Sequence, residues 1–576
     1  MVPQLPVLEG PVRIVRSNGA TRQSFETENV NRMNRILLGE QSQVTISYEH
    51  DNADAENARD GRLKVIPERP LKHNVPFECS EGKFTYEDAP NPVNMVGGLL
   101  EDNIPVVTSN DFASFISAFS KRCDFDGGND DCKDDVYNEA MALVDSLPDD
   151  MFPTFVEDDG LVQRWMDKFG PEKQQRMRDG ELLIDSIDAF YLGSKDLSVK
   201  IEVLLKRSDP EWAPRIIYAG NDAFNRVSGP AVMVAMERLQ EVLEDKSNQR
   251  LRAHKLGVVE AKLCYKTVDT DICDFLEADP SLKFTYEGDF SANDKEQRKR
   301  VALITDLWLK KMCMPQWLRT LFLEMQSFRV VNRRFGVKSK IRYQLPTGTT
   351  LTTFRNSVYN LTMFAVACAR QGIRKARASI LGDDILCVTS QPFCVHKWKE
   401  CVDRFRMKLK GKNVRIHGEA TLLSRRLCYI KDSGFMLPLI GKALARFNAR
   451  ANMTDMSDDT YVAGKALSYA YEFRHVPFMR NAFMKRFQSI KTSESSKVTL
   501  DDLTWFTRSS GFDMNQIMHA INNERVTIED DQFRDFLMEV YGFGLCDMQE
   551  LLDLTVLNPI TEYVSHPAVS KLSIDW

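Results

Sequence analysis

Residues 378–388 read Ala378-Ser379-Ile380-Leu381-Gly382-Asp383-Asp384-Ile385-Leu386-Cys387-Val388. Apolar runs on both sides of Gly-Asp-Asp predict a tight hairpin with two adjacent carboxylates at its turn. A solvated turn would account for a Gly-Asp pair by itself. Two carboxylates held between buried strands need compensation, and a divalent cation is the usual source.

Upstream, residues 283–296 (KFTYEGDFSANDKE) read as a strand ending at Asp289, followed by Asp294 at the start of a helix. If that strand lies beside the hairpin, Asp289, Asp383 and Asp384 converge, as suits two metal ions about 3.5–4 Å apart. The competing reading of Asp294 is a helix cap. Between the two acidic elements, residues 347–356 (TGTTLTTFRN) form a hydroxyl-rich loop running into a helix. Thr352 and Asn356, four apart, share one helix face. A hydroxyl and an amide facing one way can read a sugar hydroxyl, whereas local capping explains Thr347 or Thr349 but not Asn356.

The length of the chain allows several domains or one large multi-lobed enzyme. Its 576 residues are 43% hydrophobic and 27% charged, which excludes disorder, collagen and a small disulfide scaffold. No stretch approaches the ~18 apolar residues of a membrane span, and the first residues lack signal-peptide order, so a soluble intracellular chain is expected. The cysteines are scattered singly and read as free thiols. The net charge of −6 conceals a separation along the chain. Residues 101–160 hold 16 acids against 3 Lys/Arg, 296–345 hold 12 Lys/Arg against 3 acids, and 369–426 hold 14 against 5. Solvated helix faces explain any one run, but basic stretches flanking an acidic cluster suit a phosphate channel leading to a metal site.

Residues 1–100 read as an irregular arm and 111–151 as helical. Short β-like runs at 197–205, 214–219 and 283–290 alternate with a helix from Pro230 to Leu243, implying a mixed α/β core. Further helices are expected at 296–326 and from Thr352 to Arg370, with a hairpin turning near Gly336 and mainly helix beyond about 440. Two further signals carry little. Residues 124–135 resemble a calcium loop, but their glycines fall at the wrong positions. Cys394, His396 and Cys401 lack a fourth ligand for zinc.

Asp-x4-Asp, then Thr-Gly-x3-Thr-x3-Asn, then Gly-Asp-Asp, in this order, resemble motifs A, B and C of viral RNA-dependent RNA polymerases. Residues 198–217 (SVKIEVLLKRSDPEWAPRII) are similar to motif F, 405–412 (FRMKLKGK) to motif D, and 420–430 (ATLLSRRLCYI) to motif E. The Lys-x-Glu…Pro-Arg-x-Ile pattern, the Leu-Ser-Arg turn and the GKALARFN…KALSYAYE segment most resemble polymerases of nodavirus-like and tombusvirus-like positive-strand viruses. The likeness covers roughly 198–480.

The resemblance implies an α/β (α+β) right-handed fingers, palm and thumb fold, with an antiparallel palm sheet and a mainly helical thumb. Residues 1–100 would be an extension bridging fingers and thumb, and 101–282 the fingers, with motif F at 198–217. The palm would span 283–420, with a fingers insertion at about 305–342 and motifs A to D at 284–298, 346–357, 378–388 and 397–412. Thumb and C-terminal extension would be 421–576, with motif E at 420–430.

It also implies roles. Asp289 and Asp383 would hold two Mg2+ ions (or Mn2+) with Asp384 assisting. Asp294, Thr352 and Asn356 would bind the ribose of the incoming nucleotide, and Arg215 with Lys206 or Arg207, and Lys200, its triphosphate. Lys408 or Lys410 would protonate pyrophosphate. Thr347, Gly348, Ser424 and Arg425 would touch template or product RNA. The partners would be RNA, ribonucleoside triphosphates and a separate membrane-anchoring protein, the site of action membrane-associated replication complexes in the host cytoplasm. The rivals are a reverse transcriptase, which usually carries a bulky residue where a ribose is sensed, and a non-catalytic RNA-binding replication subunit, which would gain nothing from clustered buried carboxylates.

Overall fold

The computed structural model describes residues 134–181, 193–200, 203–204, 214–244, 254–267, 269–291, 293–335, 337–430, 433–450, 456–504, 507–508, 510–559 and 563–575. Upstream it describes short pieces at 77–79, 94–95, 99–100, 106–107, 115, 118–119 and 121–123.

The apolar runs around the two acidic elements pair into one sheet. Its strands are β1 (Val259–Leu263), β2 (Phe284–Gly288), β3 (Ala376–Leu381), β4 (Asp384–Thr389) and β5 (Lys412–Val414), in the order β5-β2-β4-β3-β1. β3 and β4 form the expected hairpin, with Leu381 opposite Asp384. β2 runs antiparallel to β4, with Gly288 opposite Ile385. β1 adds in parallel to β3.

Strand β4 is buried on both faces, which is why it reads as an unbroken apolar run rather than an alternation. Ile385 and Cys387 join the main core with α1 (Asp222–Leu243) and α2 (Thr352–Arg370). Leu386 and Val388 face the opposite way, onto Ile272 and Leu276 of the helix Asp269–Glu277 and onto Leu427 and Met436. The last two belong to the strands Arg425–Ile430 and Ser433–Pro438, a hairpin packed under the acidic turn.

A second sheet holds Phe77–Cys79, Val337–Arg342, Ser327–Asn332, Lys195–Val199 and Ile216–Ala219 in that order. Its Ser327–Asn332 and Val337–Arg342 strands are the hairpin expected near Gly336, a residue that lies outside the described ones. Beyond 440, helices including α3 (Ile440–Phe447), Asp458–Glu472 and Pro477–Ser489 close around a separate core containing Leu444, Phe447, Phe473 and Phe483. Upstream pieces reach both regions: Phe77–Cys79 joins the second sheet, Asn94–Met95 pairs with Ala449–Arg450, and Leu99–Leu100 pairs with Tyr563–Val564. No helix among the described residues is long and apolar enough to cross a membrane, and the cysteines among them are free.

Two helix boundaries differ from expectation. α1 begins at Asp222 rather than Pro230, because the Asn221 side chain accepts the Ala223 N–H at 2.8 Å and starts the helix two turns earlier, with Pro230 inside it. The helix expected over 296–326 is broken into Lys299–Lys311 and Gln316–Glu324, since Cys313 adopts a left-handed φ of 55° just before Pro315. Of the helical block expected at 111–151, the longest described helix is Asp135–Asp145. The loop 124–133 lies outside the described residues.

Gly288 ends β2 where no side chain fits: a Cβ there would lie 2.5 Å from the Trp398 ring and 2.8 Å from Ile385 Cγ2. Gly288→Ala is expected to lower unfolding stability by about 1–3 kcal/mol through overpacking, read as a lower urea midpoint at unchanged m-value. An unchanged midpoint would show that this strand end is not tightly packed.

Candidate active site

The hairpin turn consists of Gly382 and Asp383, with φ +66° at Gly382, a left-handed conformation in which a side chain would be strained. α2 holds it from beneath. Ser357 Oγ accepts the Gly382 N–H at 2.8 Å, and Asn360 Nδ2 donates to the Asp383 carbonyl at 2.9 Å. Both side chains lie on a helix buried along most of its length. Neither was singled out from the sequence, although polar residues at 356, 357 and 360 mark one face of that helix.

Register brings the acids together. Gly288 opposes Ile385, so Asp289 and Asp384 are the next pair along, at the end of the sheet. Burial raises the Asp383 carboxyl to about 6, helped by the nearby charges of Asp294 and Asp289 and opposed by Arg215. Asp384 is raised to about 7 by burial and by Asp383 and Asp289, with Lys442 opposing. Among the described residues no three His, Cys, Asp or Glu side chains stand close enough to ligate a metal as they are. The donors are carboxylate oxygens, the class preferred by Mg2+ and Mn2+, and their mutual repulsion is what a divalent cation offsets. The chemistry of the donor set fits such an ion.

Asp294 sits in the short helix Asn293–Glu296 beside the loop preceding α2. Its Oδ1 accepts from Asn356 Nδ2 at 3.1 Å, and its Oδ2 accepts the Thr347 hydroxyl. Thr352, expected to share this contact, does not make it. Its hydroxyl instead meets the Pro346 carbonyl at 3.3 Å and the Thr349 hydroxyl at 3.2 Å, a local capping arrangement. Thr347, expected to face RNA, is the hydroxyl that reaches Asp294. Gln297, which the sequence did not flag, is fully buried and donates from Nε2 to Asn356 Oδ1. That bond turns the Asn356 amide so that its NH2 faces Asp294. Gly348, φ +93°, bends the loop past the carbonyl of Tyr218, whose N–H bonds Thr347 O at 3.3 Å.

The basic residues divide. Arg215 is exposed, and its backbone carbonyl accepts the Lys200 N–H at 2.7 Å. Lys206 and Arg207 lie outside the described residues. Residues 408–410 run beside 289–291, with Leu409 opposite Phe290, and the Lys410 N–H bonds the Asp289 carbonyl at 2.7 Å. Phe290 and Leu409 are buried, so Lys408 and Lys410 project on the same open side as Asp289. Ser424 is exposed at a left-handed turn, φ 59°.

Arg425 contradicts its expected RNA contact. Its side chain is 3% exposed and bonds Asp269 at 3.1 Å and Glu472 at 3.2 Å. Strand alternation turns Arg425 inward where Ser424 faces out, and the guanidinium neutralises two buried acids.

A family model described as RNA dependent RNA polymerase matches residues 109–512, more than half of the chain. No curated protein matches it.

Arg425→Ala would leave Asp269 and Glu472 buried and unpaired. A stability loss of about 3–5 kcal/mol is expected, measured by chemical denaturation. Full stability with weakened RNA binding would instead restore the surface role.

Proposed function

Because the chain belongs to the RNA-dependent RNA polymerase family of positive-strand RNA viruses, we propose that it copies an RNA template into RNA by transferring nucleotides from ribonucleoside triphosphates at the Asp289, Asp383 and Asp384 cluster. The observation that carries this reading is the meeting of that cluster with a separate Asp294–Thr347–Asn356 network at one end of the sheet. In this reading β1–β5 form a palm, which takes in β1 from the 101–282 segment expected to be fingers. The second sheet belongs to the fingers, the helices beyond 440 to the thumb, and the 77–100 pieces bridge the two. The likeness of motifs F and E and of 441–472 supports a nodavirus-like or tombusvirus-like relative.

Mg2+ or Mn2+ held by Asp289 and Asp383, with Asp384 assisting, would supply Lewis acidity that lowers the pKa of the primer 3′-hydroxyl and offsets charge on the leaving pyrophosphate. The chain's own groups do the positioning. Asp294 and Asn356 would open their mutual bond to the ribose 2′-hydroxyl, which donates to the carboxylate and accepts from the amide NH2. Gln297 and Thr347 keep both groups aimed. Arg215 and Lys200, with Lys206 or Arg207, would grip the triphosphate, where a guanidinium fork suits phosphate oxygens. Lys408 or Lys410 would donate the proton that pyrophosphate takes on leaving. Gly348 and Ser424 would line the RNA path. A separate anchoring protein would bring the enzyme to cytoplasmic membranes of the host.

The test is incorporation of labelled nucleotides on a defined RNA template with Mg2+ or Mn2+. Asp383→Ala is expected to lower the rate by at least about 10²–10³-fold, the scale for removing one preorganised electrostatic group. Asn356→Ala is expected to erode the preference for ribo- over deoxyribonucleotides by about tenfold, the worth of one such hydrogen bond. Deoxynucleotide product from the unaltered protein would mark a reverse transcriptase. RNA binding without synthesis on any template would mark a non-catalytic subunit.

A further inference from the structure

Residues 344–347, the run of chain that leads into Gly348 and α2, lie between two anchors. On one side is Asp294: its backbone carbonyl accepts the Leu345 N–H at 3.1 Å, and its Oδ2 accepts the Thr347 hydroxyl. On the other is Tyr218, in the strand Ile216–Ala219. Its N–H bonds the Thr347 carbonyl at 3.3 Å, and its hydroxyl donates to Gln344 Oε1 at 3.1 Å. The carboxylate that faces Asn356 is therefore held by a segment that Tyr218 grips at both ends.

The strand sets Tyr218 in this place. Burial alternates along it, with Ile216 and Tyr218 inward and Ile217 and Ala219 outward. Tyr218 is 2% exposed, and its ring meets Phe328 edge-on with 5.9 Å between centroids. A phenol has one proton, and here it goes to Gln344, so Cys123 Sγ, 3.0 Å away, is the donor to Oη. Gln344, also buried, gives its Nε2 to the Arg122 carbonyl, which fixes the way its amide faces. Buried polar groups joined in such a chain hold one geometry, because a shift leaves one of them without a partner in a low-dielectric interior. The strand also begins one residue after Arg215, so the same bonds set Asp294 against the side proposed to take the triphosphate.

We propose that Tyr218 is a positioning residue for sugar selection: through its hydroxyl and Gln344 it holds residues 344–347 so that Thr347 keeps Asp294 aimed at the ribose 2′-hydroxyl. The competing account is a core tyrosine whose bonds do no more than satisfy its own hydroxyl. Two features favour positioning. The packing against Phe328 needs only a ring, which phenylalanine would supply. The hydroxyl, moreover, reaches 126 residues along the chain to the same four residues that bond Asp294 twice. The inference rests on the polymerase reading, because it takes Asp294 to meet a ribose.

Tyr218→Phe removes the hydroxyl and keeps the ring. With the full chain on a defined RNA template, kcat/KM is measured for ATP and for dATP, alongside equilibrium binding of each nucleotide. The ratio favouring ATP is expected to fall about fivefold, the worth of one hydrogen bond, mainly through a loss in kcat/KM for ATP. Gln344→Met breaks the same bond from its other end and should lower the ratio to a similar extent, with the double variant no lower than either single one. A purely structural tyrosine would lower both nucleotides alike, so an unchanged ratio in Tyr218→Phe overturns the proposal whatever the remaining activity. If the unaltered protein makes no product, the polymerase reading fails. The binding ratio then decides, supporting the role of Tyr218 if Tyr218→Phe lowers it and overturning that role if it does not.

Discussion

The structure depends on the cost of bringing like-charged carboxylates to one end of a buried sheet. Asp383 is pushed well above the ordinary carboxylate range by burial and by the charges of Asp294 and Asp289, and Asp384 by burial and by those of Asp383 and Asp289. Such a turn persists only if its backbone is held by groups that do not themselves repel. Ser357 and Asn360 do this from α2, bonding the Gly382 N–H and the Asp383 carbonyl. α2 is in turn fixed by burial along nearly its whole length, including the bond from the Trp308 indole to Thr362 at 3.0 Å. The core is therefore a support for the acidic turn as much as a source of stability.

A second consequence is the separation of tasks between neighbouring polar groups. Asp294 is tied by hydrogen bonds to Thr347 and Asn356, whereas Asp289 stands at a strand end beside Lys410. In the proposed reading the first carboxylate would recognise a hydroxyl, and the second would share charge with Asp383 and Asp384. Buried ion networks elsewhere follow a different logic: Arg425 and Arg474 neutralise Asp269 between the 425–438 hairpin and the helices beyond 440, which locks the two cores in register.

Much of this was legible in the chain. The strand and hairpin around 284–289 and 378–388 were readable because apolar runs bounded by Gly and Asp have few other folded outcomes, and the Asp-x4-Asp spacing separates a strand end from a helix start. The α2 helix was readable from its length and its apolar face. Illegible were contacts that arise only when elements pack. Thr347 and Thr352 are alike in a hydroxyl-rich stretch, and the path of the chain into α2 decided that Thr347 reaches Asp294 while Thr352 bonds Pro346. Gln297 is one polar residue among several in residues 293–300 until burial turns it toward Asn356. Arg425 resembles any other residue of a basic stretch, and the inward face of its strand committed it to Asp269 and Glu472.

What the sequence by itself determined is therefore the chemistry available: three segments carrying carboxylates, hydroxyls and an amide, ordered along a mixed α/β chain. Local propensity and spacing suffice for that, since they act within a few residues. The tertiary structure decided which of those groups meet, by setting Gly288 opposite Ile385 and by closing α3 against Asp575, 134 residues apart from Gly441. Strand register and helix docking are determined by how buried faces fit one another, and that fit is a property of the folded whole.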